Sequence, residues 1–144
     1  MINVICGFSG SGKTTYALKN KKPTDAIIDM DLLQDAIVKY NDFGMVKDLQ
    51  IQIANYFISR NVDIWYVTCF PNFDELELFK NYANFIWINT SMKKSLENIY
   101  RRNRNGDLDD IENIKKYNLN VSNRYYTSKI PFKVIDVFES DERW

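Results

Sequence analysis

The sequence predicts an α/β domain, a five-stranded parallel sheet with helices on both faces. Three observations carry that expectation. Short apolar runs alternate with stretches of helical periodicity, an alternation that favours parallel strands joined by helical crossovers. The runs are apolar almost throughout, as in DIWYVTCF over 63–70, which is the pattern of strands covered on both faces. The first run leads directly into a glycine-rich loop and then a helical stretch.

Taken in order, INVIC (2–6) reads as a short buried strand and 15–20 as a helix after the loop. Residues 19–25 form a basic, proline-containing connector to a second strand, AIID over 26–29. From Asp31 a helix is expected. Leu32, Leu33, Ala36, Ile37 and Tyr40 recur at helical spacing, and Asp31 is placed to cap the start. Residues 41–44 break that pattern. An amphipathic helix over 46–60 follows, with Leu49, Ile53, Ala54, Phe57 and Ile58 on its apolar side. The third strand spans 63–70, and a helix over 73–82 begins near Pro71, with Asp74 as its expected cap. NFIWIN (84–89) is the fourth strand; a helix over 91–104 has a strongly basic end, and Asn105-Gly106-Asp107 interrupts it. The chain closes with a helix over 111–126 and a fifth strand over 132–138.

The loop GFSGSGKT (7–14) matches G-x-x-x-x-G-K-[ST] at every fixed position. A chance match in a chain this long is on the order of one in 200 at average residue usage. Small residues at Gly7, Ser9, Gly10, Ser11 and Gly12 let the backbone wrap so that N–H groups converge on an anion. Lys13 adds a cation for the β- and γ-phosphates. The Thr14 hydroxyl is a hard oxygen suited to Mg²⁺, and a helix opening at Gly12 or Lys13, through Thr15, presents its positive end. The implied ligands are ATP and Mg²⁺.

At 144 residues the chain is expected to be one domain, 1–144. Its 19 basic and 19 acidic residues balance, so no global charge draws it to nucleic acid or a membrane surface. The 9 Tyr, 9 Phe and 3 Trp indicate a packed globule rather than disorder. No apolar run approaches the ~20 residues that span a bilayer, and the N-terminus lacks a secretory pattern. Cys6 and Cys69, each at the end of a strand-like run, read as buried free thiols in a reducing cytoplasm. The absence of His excludes histidine catalysis and most zinc sites.

In a parallel sheet ligands sit beyond the carboxyl ends of the strands. That gathers the loop, Asp29, Asp31, residues 68–72 and the later basic segment around one cleft. Phosphoryl transfer needs metal binding, charge neutralisation and a group that orients the acceptor hydroxyl. Asp31 is the candidate for the last role, and Asp29 for holding Mg²⁺ beside Thr14. Arg101, Arg102 and Arg104 precede a flexible turn and are placed to close over a triphosphate.

The layout resembles the P-loop kinases that include nucleoside monophosphate kinases, deoxynucleoside kinases and the kinase domain of phage polynucleotide kinase. GFSGSGKTTYA carries the likeness first. IIDMDLLQDAI is similar to the polynucleotide kinase segment in which an Asp after the second strand acts as base, a place Asp31 occupies. SLENIYRRNRNGDLDDIENIKKY looks like their arginine-flanked lid, here around 101–112. The resemblance implies the three-layer P-loop nucleoside triphosphate hydrolase fold with strand order 2-3-1-4-5. It also implies a kinase moving the γ-phosphoryl group of ATP to a nucleotide, nucleoside or nucleic-acid end. A small-metabolite kinase would share the fold. Abundant Asn, Lys, Ile and Tyr fit an AT-rich genome, such as that of a phage or its low-GC host. Two departures motivate another expectation, an ATP-binding module without kinase activity that acts through a partner protein. Gln34 stands where polynucleotide kinases carry an Arg, and 68–72 lacks the metal-orienting Asp that many phosphate-loop proteins place there.

Overall fold

The computed structural model describes residues 1–37, 43–102 and 111–137. Five parallel strands form one sheet in the order β2(Ala26–Asp29), β3(Ile64–Val67), β1(Ile2–Cys6), β4(Ala83–Ile88), β5(Lys133–Ile135). This is the expected order. Val4 lies in register between Tyr66 and Phe85, and Ile5 between Val67 and Ile86. All five β1 residues are buried, which is why the run carries no polar alternation.

The strand pleat divides the core by alternation. Val4 and Cys6 pack with Phe8, Ile28, Tyr66, Phe79, Trp87 and Val121 on one face, while Ile5 packs with Ala17, Val67, Ile86 and Ile88 on the other. The helices are α1(Lys13–Asn20), α2(Met30–Ile37), α3(Phe43–Ser59), α4(Phe73–Phe79), α5(Met92–Arg102) and α6(Ile111–Thr127). Among the described residues no helix is long and apolar enough to cross a membrane.

Two expected caps are corrected. Helix α2 opens at Met30, one residue early, and the Asp29 carboxylate accepts from the N–H groups of Asp31 (2.9 Å) and Leu32 (3.5 Å). Asp31 therefore lies in the first turn and Asp29 does the capping. At α4 the cap is Asn72, not Asp74. The extended Asn72 backbone (φ −84°, ψ −179°) aims its side chain at the Glu75 N–H, and the Glu75 carboxylate returns a bond to the Asn72 N–H, both 2.9 Å.

Because all strands are parallel, their carboxyl ends share one edge. Gly7 follows β1, Asp29 ends β2, Thr68 follows β3 and Thr90 follows β4. The site is built there.

Candidate active site

The carbonyls of the loop between β1 and α1 are held from Gly7 to Ser11. The Lys13 ammonium donates to the carbonyls of Phe8 (2.7 Å) and Gly7 (3.2 Å) and also reaches the Cys69 sulfur (3.6 Å). The Ser9 carbonyl accepts from the Asn118 amide (3.4 Å), that of Gly10 from Asn98 (3.0 Å) and that of Ser11 from the Thr90 hydroxyl (2.7 Å). The Gly7 N–H donates to the Cys69 carbonyl (3.0 Å), joining the loop to the end of β3. Among the described residues, no acceptor pairs with the N–H groups of Gly10 or Gly12. Helix α1 starts at Lys13 with no side-chain cap, so its first-turn N–H groups, through Thr15, lack intrahelical partners. Carbonyls already bonded and N–H groups free is the arrangement of an anion cradle.

Two glycines make the turn possible. Gly12 has φ +98° and Gly10 φ +85°. A Cβ on Gly10 would also come within 2.3 Å of the Ser95 carbonyl, so the loop lies directly against α5. The Ser11 hydroxyl is buried without a partner.

Beside the cradle, the Thr14 hydroxyl donates to Asp29, whose other oxygen caps α2. Thr14 and Asp29 together offer two hard oxygens. That small donor set fits a Mg²⁺ ion that keeps most of its waters. Among the described residues no group of three or more His, Cys, Asp or Glu could hold a metal. Asp31 is exposed at the same helix end.

The end of β3, where an acid is missing, is built around a cation. Lys47 of α3 donates to the Thr68 hydroxyl and to the Glu75 carboxylate, both at 2.6 Å. Glu75 is fully buried and also accepts from the Tyr66 hydroxyl. Burial, then the charge of Glu75, push the Tyr66 hydroxyl and the Cys6 thiol far above their usual ranges. Thr68 therefore sits against an ammonium.

Helices α5 and α6 cover the loop. Arg102 lies one turn beyond Asn98 and shares its side of α5, with Arg101 next to it; both are exposed. Arg104 and residues 103–110 of the expected lid lie outside the described residues. On α6, Asn118 grips Ser9, while Arg124 donates to the Pro71 carbonyl (2.8 Å) and stacks over the Phe70 ring (4.6 Å). Sequence reasoning missed Lys47, Glu75, Thr90, Asn98, Asn118 and Arg124. One signal was available for Asn118. It interrupts the apolar stripe Ile111, Ile114, Val121, Tyr125, where a buried amide demands a partner.

No protein-family model matches the chain, and no curated protein does. Solved structures do. A shikimate kinase from Acinetobacter baumannii in complex with shikimate superimposes with a TM-score of 0.65 at 15% identity, over 99% of this chain and 86% of that one. A putative kinase from Chloroflexus aurantiacus gives 0.63 at 14%, over 94% and 84%. A deoxyadenosine kinase from M. mycoides with bound dATP gives 0.51 at 17%, over 99% and 95%. The chain has the three-layer P-loop fold of these kinases, strand order included.

Proposed function

We propose that the chain is an ATP-dependent kinase that transfers the γ-phosphoryl group to a nucleotide, nucleoside or nucleic-acid end. One observation carries the reading. Five consecutive loop carbonyls, Gly7 to Ser11, each accept a hydrogen bond, while the N–H groups of Gly10, Gly12 and the start of α1 have no acceptor among the described residues. Such a cradle is complementary to phosphate oxygens, and the motif and the fold agree with it.

In this reading Lys13 leaves the loop carbonyls for the β- and γ-phosphates. A bound Mg²⁺ would offset the charge of those phosphates, held by Thr14 with Asp29 behind it. Asp31 orients the acceptor hydroxyl and takes its proton, acting as general base. Arg101, Arg102 and Arg104 approach the triphosphate from the end of α5. A small-metabolite acceptor is the second reading, favoured by the shikimate-bound neighbour.

Transfer of label from γ-labelled ATP tests both. The acceptors are nucleoside and deoxynucleoside monophosphates, nucleosides, 5′-hydroxyl oligonucleotides, shikimate and other hydroxylated metabolites, with Lys13→Ala as the blank. Label on one class that vanishes in the blank establishes the kinase and its substrate. Bound ATP with label on no acceptor would replace the kinase by a binding module that serves a partner protein.

A further inference from the structure

Asn118 sits at the middle of α6, fully buried in an otherwise apolar stripe. Burying an amide there is unfavourable unless both its ends are bonded. They are, and to one residue 109 positions away: its oxygen accepts from the Ser9 N–H (2.9 Å), and its nitrogen donates to the Ser9 carbonyl (3.4 Å). A primary amide is suited to gripping both groups of a single peptide residue, since it carries donor and acceptor side by side. An aspartate lacks the donor and a leucine lacks both.

We infer that Asn118 is a positioning residue that holds the phosphate loop in its anion-binding form and ties it through α6 to the loop after β3. The connection is Arg124, six residues on along the same helix, bonded to the Pro71 carbonyl and stacked on Phe70 in the loop after β3. One helix thus grips the loop after β1 at Ser9 and the loop after β3 at Pro71. The inference rests on reading the loop as a phosphate cradle.

Amide exchange of Ser9, followed by NMR in the nucleotide-free protein, reads the grip directly. Mg·ATP titration reads its consequence. In Asn118→Leu the Ser9 amide exchanges at least tenfold faster than in the native chain, and ATP affinity falls about tenfold. Asn118→Asp, isosteric and still able to accept from Ser9, keeps Ser9 protected but weakens ATP by placing an anion beside the cradle. Val121→Ala, in the same stripe, lowers the melting temperature and leaves ATP affinity unchanged. Unaltered Ser9 exchange in Asn118→Leu would overturn the inference. So would released Ser9 with native ATP affinity, or an affinity loss in Val121→Ala equal to that in Asn118→Leu. If the native chain binds no ATP, the cradle reading fails. Ser9 exchange still decides whether Asn118 sets the loop.

Discussion

Lys47→Met removes the cation from a fully buried carboxylate, and its cost can be worked from the contacts. Glu75 is inaccessible to solvent and has three partners: Lys47 at 2.6 Å, the Asn72 N–H at 2.9 Å and the Tyr66 hydroxyl. The Lys47 side chain is itself only 13% exposed. Breaking a buried pair by deleting one member costs about 3–5 kcal/mol, because the other charge stays uncompensated. Two neutral donors still serve Glu75, which places the loss at the low end, about 3 kcal/mol. At about 3 °C per kcal/mol for a chain of this length, the melting temperature falls by ~10 °C. The double variant Lys47→Met/Glu75→Gln removes both charges, keeps an oxygen for the Asn72 N–H and turns an amide N–H toward the Tyr66 hydroxyl, which then accepts. It recovers to within about 1 kcal/mol of native. Urea denaturation of the native chain, both single variants and the double variant at pH 7 measures the coupling. A loss below about 1 kcal/mol in Lys47→Met, or a double variant as unstable as the summed singles, would refute the reasoning.

Gly10→Ala combines a left-handed backbone with a Cβ 2.3 Å from the Ser95 carbonyl. Strain of about 1–2 kcal/mol adds to a similar overpacking cost, so melting falls by several degrees and ATP affinity drops; a native melting curve would contradict this. Cys6 is fully buried with its thiol pushed up by burial, whereas Cys69 is partly exposed. A thiol reagent should therefore modify one cysteine in native protein and two in denaturant, and two fast native thiols would be inconsistent with the fold. The N–H of Lys22, then the Trp65 indole, hold the Asp25 carboxylate below its usual range. Folding favours its ionised form, so its stabilising effect is present above the ordinary carboxylate pKa and lost as pH falls through the lowered value. Asp25→Asn accordingly melts below native at pH 7, with the gap closing as pH falls below the ordinary carboxylate range. A gap that persists in acid would contradict that assignment.

What could be read from the sequence is what depends on local spacing. The phosphate loop is contiguous, so Gly7 to Thr14 were identifiable from the motif alone, and the alternation of strands and helices carried the sheet. Cap positions were less legible. Asp29 and Asp31 are both suitable caps, and a start one residue earlier passes the role from one to the other. Asn72 and Glu75 form an N-x-x-E capping box that local pattern contains, yet Asp74 competes for the same role. The other two partners of Glu75 were not legible at all, because Lys47 and Tyr66 meet it only when α3 packs on β3. Asn118 shows the same limit. Its place in an apolar stripe signals a buried partner, but nothing near it in the chain points to Ser9.

On the proposed function, the site divides its work between a loop that holds ATP and an Asp31 carboxylate that orients the acceptor. Asp31→Asn separates the two most directly, by measuring Mg·ATP affinity and phosphoryl transfer in the same preparation. The predicted result is an ATP affinity within about twofold of native and turnover reduced by about 10²-fold or more. Native turnover in Asp31→Asn, or a loss of ATP binding that accounts for all of the defect, would contradict it.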